Sequence, residues 1–223
     1  MSLPQKFSSP GLVLQSKAFR ESDSIVTLLT QQCGKLSAIA RGVRRSKKRF
    51  MGGIEPFDYG IFELSSARNR PEWHTIEGLS NRHVLLSLRS DFFKLSLSSY
   101  CLELATAFTH EGEKDAGRLF NHIIHCLRSI DSSKDEEHCY YQVVLFNLRL
   151  LSFCGYNPTE DEKISPAYRS WFADLLAGKL THAHLPDQQT RHAFMLLCNN
   201  SQQIIGHPFA SLRDSSLAFN DDY

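Results

Sequence analysis

The first 80 residues alternate between short apolar segments and polar turns. In the segment KLSAIARGV, Leu36, Ala38 and Ala40 recur at every second position, which is typical of a strand with one buried face. Gly34 precedes this segment, at a place where a tight turn requires a positive φ. The pattern predicts five strands with no long helical period among them, at residues 11–19, 25–30, 35–43, 57–64 and 73–79.

Five short strands in a span of this length are typical of a small closed barrel. An OB-fold fits the number and spacing of the strands best, and an SH3-like barrel is the alternative. The first 80 residues are therefore predicted to form an OB-fold domain, a fold that commonly binds nucleic acid.

From about Asn81 the apolar residues follow a helical spacing. Residues 91–109 are predicted to form a helix, with Phe92, Leu95, Ser99, Leu102 and Phe108 on one side. Gly155, followed by Pro158, is a predicted helix end, because glycine adopts the conformation that ends a helix and proline cannot continue one. Residues 81–223 are thus predicted to form an all-α helical domain, with further helices at 116–130, 138–154, 167–176 and 188–205.

Charge is distributed unevenly between these two regions. The whole chain has a formal net charge of +1, but residues 1–80 hold 12 Lys or Arg against 7 Asp or Glu. Residues 81–223 hold 13 against 17, so the chain combines a basic first third with a mildly acidic remainder. The strongest concentration lies between the third and fourth predicted strands, where six cations fall within nine residues: Arg41, Arg44, Arg45, Lys47, Lys48 and Arg49.

Three interpretations of this basic segment compete. A solvated loop seldom holds six like charges, and a nuclear localisation signal would not be expected between two strands of a barrel. Contact with phosphates explains the residue types directly, because each cation that neutralises a phosphate releases condensed counterions. Lys35 is a further candidate contact. Nearby aromatic side chains would either stack on unpaired bases or form the core and rim of the barrel: Phe50, Phe57, Tyr59 and Phe62.

The sequence gives little indication of a metal site, a redox site or a catalytic site. No two of the six cysteines lie within four residues of each other, which argues against a zinc knuckle or a CxxC site. His122 and His125 share a predicted helix face, but a third metal ligand is not evident. The chain contains no P-loop, GxGxxG, HExxH or GxSxG motif. We therefore predict no catalytic residue, no metal and no cofactor, and, from the lack of a secretory signal or a long apolar run, a location in the cytoplasm.

A family resemblance covers most of residues 10–160. The N-terminal part resembles the RecO family of bacterial recombination mediators in an opening strand GLVL, the pair Glu21 and Asp23, the dipeptide GK at 34–35 and the run ARGVR at 40–44. Gly52 and the dipeptide PF at 56–57 continue the match. Downstream, YCLEL at 100–104 and LFNLRLLSFCGYNP at 145–158 resemble helices of the same family.

This resemblance implies an OB-fold followed by a helical domain, and it implies a function. Members bind single- and double-stranded DNA, anneal complementary strands and, with RecR, load RecA onto strands coated with single-stranded DNA-binding protein (SSB). Many also carry a four-cysteine zinc site after Gly-Tyr-x-Pro, where this chain reads TEDEKISPAY, so we expect a zinc-less branch. Two other classes remain open: a metal-dependent nucleic-acid-processing enzyme and an RNA-binding OB-fold protein.

A docking site for SSB is predicted on the helix at 116–130. SSB proteins end in an acidic tail that finishes with an apolar residue, so their receptor pairs an apolar groove with cations. The alternative is an ordinary core face flanked by solvated arginines. The candidate residues are Phe120, Ile124, Leu127, Arg128 and Arg118.

Overall fold

A computed structural model of the 223-residue chain describes residues 5–46, 49–50, 52–67, 70–111, 116–180 and 187–212. The chain divides into two units, which are treated separately below. The first comprises residues 1–85 and 109–124, and the second comprises residues 86–108 and 125–223.

The first unit contains a closed barrel in which the strands follow the order β1-β2-β3-β5-β4. Its first strand is long enough to pair with β4 along its first half and with β2 along its second half. A short parallel pairing of β3 with β5 closes the barrel, whereas the other neighbours are antiparallel. The predicted five-stranded OB-fold is confirmed, and its strands are β1 (Gln5–Phe19), β2 (Asp23–Thr30), β3 (Gly34–Ala40), β4 (Tyr59–Ala67) and β5 (Arg70–His83).

The barrel core is built from alternate residues of each strand. In β3, Leu36, Ala38 and Ala40 are buried, as the sequence pattern predicts, while Ile39 and Ser37 are more exposed. Gly34 has a φ of 71°, which confirms the predicted turn between β2 and β3. Side chains from the other strands complete the core, among them Val13, Val26, Leu28, Phe62, Leu64 and Ile76.

Strand ends differ from prediction where the pattern is polar. β1 begins at Gln5 and not at Gly11, because residues 5–12 pair with β4. β4 begins at Tyr59 and not at Phe57, whose φ of 72° is incompatible with a strand. β5 continues through His83, past the point at which the pattern turns helical.

The second region of the chain is helical, as predicted. All five predicted helices lie within two residues of their predicted ends, whereas the five-residue helix α1 was not separated from its neighbour by the pattern. The helices are α1 (Leu86–Ser90), α2 (Phe92–Phe108), α3 (Ala116–Ser132), α4 (Glu136–Phe153), α5 (Pro166–Leu176) and α6 (Asp187–Ile205).

The predicted apolar side of α2 is buried only in part, at Leu102 and Phe108. Phe92 is 58% exposed, and Leu95 and Ser99 are half-buried. Leu97, Tyr100 and Leu104 are fully buried instead. Because α2 is buried around most of its circumference, a single apolar stripe could not identify the innermost side chains.

The ends of α4 follow capping rules. At its start the Asp135 side chain accepts a hydrogen bond from the Glu137 backbone N–H at 3.1 Å. At its end Gly155 takes a φ of 82°, as predicted, and its N–H donates to the Ser152 carbonyl. Tyr156 donates from its N–H to the Leu151 carbonyl at 2.9 Å, which completes a Schellman motif.

A buried polar chain links three helices of the second unit. Asn147 on α4 donates through Nδ2 to the hydroxyl of Tyr100 on α2 at 2.7 Å. Ser201 on α6 donates through Oγ to the Asn147 side-chain carbonyl at 3.2 Å. All three residues are at most 1% exposed. Because water does not reach them, these hydrogen bonds take the place of hydrogen bonds to water. Among the described residues, none of the helices is both long and apolar enough to cross a membrane.

Candidate nucleic-acid interface

The basic segment begins a long connection, residues 41–58, between β3 and β4, as the sequence indicates. Its path is fixed by apolar side chains that belong to the barrel core. Val43, Phe50 and Ile54 are each at most 3% exposed. The cations are thus carried by a segment that is tied to the core before and after them.

Backbone hydrogen bonds hold the start of this connection against the β1–β2 turn. The Gly42 N–H donates to the Asp23 carboxylate at 2.8 Å, and the Arg44 N–H donates to the Ser22 carbonyl at 3.0 Å. Gly42 has a φ of 66°, a conformation that glycine adopts without the penalty that a side chain brings. The pKa of Asp23 is lowered, chiefly by the Gly42 N–H and further by the Ser22 hydroxyl and the charges of Arg20 and Arg41.

Four of the predicted DNA contacts are brought together on this connection, and all four are exposed: Arg41, Arg44, Arg45 and Arg49. Arg45 forms an ion pair of 3.2 Å with Glu21, in which both side chains remain largely exposed. The Arg49 guanidinium donates to the backbone carbonyl of Arg41 and lies over the Phe50 ring, 4.6 Å from its centroid. Lys47 and Lys48 lie outside the described residues.

The far end of the connection is held by a buried ion pair. Arg82 on β5 donates to the Asp58 carboxylate at 2.6 Å and to the Gly53 carbonyl at 3.1 Å. The Asp58 side chain is fully buried, and it also accepts a hydrogen bond from the Glu55 N–H at 2.8 Å. The Arg82 guanidinium therefore joins both ends of the segment between Gly53 and Asp58.

Of the two interpretations of the nearby aromatic residues, the structure supports burial for the phenylalanines. Phe50, Phe57 and Phe62 are at most 5% exposed, so they belong to the barrel interior, which was the alternative interpretation. Tyr59 is half-buried and stacks on His83, with ring centroids 4.7 Å apart.

Sequence reasoning missed Trp73, which is 55% exposed at the start of β5. It borders a cavity of about 360 Å³ that Arg41 and Arg49 also line. The alternation in WHTIEGL was the available signal, because it places Trp73 on the strand face opposite the buried Ile76. An exposed tryptophan thus lies beside two of the exposed arginines.

The remaining site predictions lie elsewhere. Lys35 is half-buried at the start of β3, six residues from Arg41 and therefore roughly 20 Å away along the strand. On α3, Phe120 and Leu127 are buried and Ile124 is half-buried, whereas Arg118 and Arg128 are exposed. The SSB groove stays a prediction. In the part of the chain that the structure describes, no three His, Cys, Asp or Glu residues form a group that could hold a metal ion.

Comparisons with known proteins give a consistent assignment. The family model described as "Recombination protein O N terminal" matches residues 1–81, and the one described as "Recombination protein O C terminal" matches residues 89–166. A protein named "DNA repair protein RecO" from Alkaliphilus metalliredigens (strain QYMF) is 32% identical over 176 residues, which cover 77% of this chain and 69% of that protein.

Further relatives carry the same name. The one from Thermoanaerobacter sp. (strain X514) is 34% identical over 154 residues, covering 68% of this chain and 58% of the relative. The one from Bacillus pumilus (strain SAFR-032) is 30% identical over 156 residues, covering 69% and 57% respectively. The matched part of this chain spans between 57% and 69% of the length of these three relatives. Since both domain models match in order and the expected barrel is present, the chain belongs to the RecO family of DNA repair and recombination proteins.

Proposed function

We propose that this protein is a recombination mediator that binds single- and double-stranded DNA and anneals complementary strands. The observation that carries the proposal is the group of exposed arginines on a connection anchored in the barrel core. OB-type barrels bind single strands with a basic surface that follows the backbone. The DNA contacts are Arg41, Arg44, Arg45, Lys47, Lys48 and Arg49, with Lys35 a more distant member.

Annealing requires no covalent step. Two strands repel each other through their phosphates, and a basic surface that holds both strands lowers this barrier and raises their local concentration. Because Val43, Phe50 and Ile54 are buried in the core, the backbone that carries Arg44 and Arg49 is held in place before DNA binds. The protein acts as a positioning surface, without a catalytic residue or cofactor.

Family membership supports a place for this activity in the RecA pathway. With RecR as a partner, the protein helps to load RecA onto SSB-coated strands. SSB itself docks on the helical part of the chain, for which Phe120, Ile124, Leu127, Arg118 and Arg128 are the candidate residues. These partners belong to the proposal together with DNA binding.

The direct test is annealing of SSB-coated complementary strands by the purified protein, without metal or nucleotide. We expect duplex to form faster than with SSB-coated strands alone. Strand cleavage that requires a divalent metal would identify a processing enzyme instead. Preference for RNA over DNA of equal length would identify an RNA-binding protein.

The basic surface is tested by the salt dependence of single-strand binding. If all six cations contact phosphates, log K falls against log salt with a slope of about −4. The variant Arg44→Ala/Arg45→Ala/Arg49→Ala should reduce that slope by about 2 and weaken all sequences alike. A control variant, Lys134→Ala/Lys163→Ala/Arg191→Ala, removes the same charge from exposed positions outside the barrel. Equal slopes for the two variants would contradict the proposed surface.

A further inference from the structure

A cavity of about 360 Å³ opens beside the basic connection, on the outward face of three adjacent strands. Ile39 of β3 pairs with Thr75 of β5, which pairs in turn with Ser65 of β4. These three residues alternate with the buried positions Ala38, Ile76 and Leu64, so their side chains form one surface. The cavity lies within the first unit and is at the lower end of the sizes found for small-molecule pockets.

One wall of the cavity is an aromatic surface. Trp73 lies two residues before Thr75 on the same strand face, and more than half of its side chain is exposed. An exposed aromatic side chain beside cations is the arrangement that binds unpaired bases, because every base has a π-face that can stack on it. Trp73 therefore offers a stacking surface that the buried phenylalanines do not.

Two guanidinium groups line the same cavity. Arg41 continues the line of β3 beyond Ile39, and Arg49 is held beside it by its hydrogen bond to the Arg41 carbonyl and its contact with the Phe50 ring. Guanidinium groups pair well with phosphate oxygens. A nucleotide that stacked on Trp73 would thus have cations near the phosphates on either side of its sugar.

The cavity also contains a carboxylate. Glu77 accepts a hydrogen bond at Oε1 from the Ser65 hydroxyl at 2.6 Å. An ionised carboxylate accepts about four hydrogen bonds in total, so this contact leaves acceptor capacity. A carboxylate repels phosphate and attracts N–H donors, which favours a base over a phosphate as the occupant of the cavity.

We propose that this cavity binds one unpaired nucleobase of single-stranded DNA and prefers cytosine to thymine. The base stacks on Trp73, and Glu77 accepts a hydrogen bond from its amino group. Cytosine has an amino group at the ring position where thymine has a carbonyl oxygen, which a carboxylate repels. This inference rests on the proposed function, since it assigns a base-binding subsite to the same DNA surface.

Tryptophan fluorescence gives the first test. The chain contains two tryptophans, Trp73 and Trp171, so a Trp171→Phe protein reports on Trp73 alone. We expect oligo(dC) to quench this fluorescence on binding, and oligo(dT) of equal length to bind more weakly at the same salt concentration. Trp73→Ala should lower the affinity for oligo(dC) about 10-fold with an unchanged salt slope, and Trp73→Phe should retain most of the affinity.

The base preference is tested separately with Glu77→Gln. This variant keeps the size of the side chain and removes its charge, so it should bind oligo(dT) at least as well as the parent protein and lose the preference for oligo(dC). Equal affinities of the parent protein for the two oligonucleotides would overturn the role of Glu77.

Failure of the subsite is distinguishable from failure of the proposed function. If DNA binds with the parent salt slope but the Trp73 fluorescence does not change, the subsite is wrong and the basic surface stands. If neither oligonucleotide binds, both proposals fail together. Because the fluorescence test leaves Trp73 in place, it does not depend on the folding of the Trp73→Ala variant.

Discussion

The Asp23 carboxylate at the start of β2 accepts a hydrogen bond from the Gly42 N–H at 2.8 Å, across 19 positions of the chain. This contact joins the β1–β2 turn to the first residues of the basic connection. Its acceptor titrates, so the contact depends on pH.

Asp23→Ala should destabilise the protein at neutral pH and have less effect in acid. The pKa of this carboxyl is lowered in the folded state, chiefly by the Gly42 N–H. Its contribution to stability is therefore fully present above the ordinary aspartate pKa of about 4, and it is lost as the pH falls through the lowered folded value. Urea unfolding of both proteins between pH 3 and 7 measures the difference. Asp23→Asn retains an acceptor but cannot ionise, so it should be less destabilised than Asp23→Ala, and its difference from the parent should shrink toward acid by the same amount. A difference that grows toward acid would contradict the assignment.

Glu21→Gln should strengthen DNA binding with little change in stability. The Glu21 carboxylate pairs with Arg45 at 3.2 Å, and both side chains are more than 70% exposed. Exposed pairs contribute about 0.2–1 kcal/mol at most, so folding scarcely depends on this one. Phosphate competes with Glu21 for the same guanidinium, and removing the competitor should raise affinity about threefold at low salt. Titration of a labelled single strand tests this, with Glu162→Gln as the exposed control; equal affinity of both variants would show that Arg45 does not contact phosphate.

Arg82→Ala should cost about 3 kcal/mol of unfolding free energy. The substitution takes the guanidinium away from the buried Asp58 carboxylate and from the Gly53 carbonyl. Arg82→Lys keeps a charge but not the planar fork that reaches both acceptors, so we expect an intermediate loss. Denaturant unfolding of the three proteins at pH 7 provides the comparison. If lysine restored full stability, positive charge alone would account for the contact.

Gly60→Ala should destabilise the barrel more than Gly155→Ala destabilises the end of α4. A Cβ at residue 60 would lie 2.7 Å from the Ser80 carbonyl oxygen and 3.0 Å from that of Asn81, and backbone atoms cannot move aside as a side chain does. We expect a loss of about 2–3 kcal/mol. At Gly155 nothing lies within 4 Å, so only the positive φ is penalised, at about 1 kcal/mol. Thermal or urea unfolding ranks the two, and a larger effect at Gly155 would contradict the close approach of β4 and β5.

Tyr100→Phe should destabilise the second unit by about 2 kcal/mol. It removes the acceptor of the Asn147 amide at a site closed to water, and a buried donor left without its partner costs about 1–3 kcal/mol. The control is Tyr156→Phe, which removes the hydroxyl of a tyrosine that is 44% exposed. Urea unfolding followed by circular dichroism should separate the two variants. Equal stabilities would mean that the buried polar chain contributes nothing beyond packing.

Structural features that depend only on neighbouring residues could be predicted from the sequence. The alternation of Leu36, Ala38 and Ala40 located β3, and Gly34 and Gly155 marked turns because both positions require a positive φ. Features that depend on contacts with distant parts of the chain could not be predicted in this way. Residues 5–10 form a strand because β4 pairs with them, and the burial of Leu97 and Tyr100 depends on helices that lie far along the chain.

The candidate site divides in the same way. The position of the basic segment between β3 and β4 followed from the order of the strands. The choice of aromatic residue was only partly predictable: the alternation in WHTIEGL places Trp73 opposite the buried Ile76, whereas no local pattern shows that Phe50 packs into the core. Sequence distance also misled in the case of Lys35, which is near Arg41 in number but at the opposite end of an extended strand.

The narrow parallel seam between β3 and β5 has a consequence for the link between folding and ligand binding. Only Ala38 with His74 and Ile39 with Thr75 are in register there, which makes it the shortest pairing in the barrel. The proposed base-binding cavity draws its lining from both sides of that seam. A nucleotide bound there would contact both strands. Because it binds only when β3 and β5 are paired, its binding would shift the equilibrium toward the closed barrel.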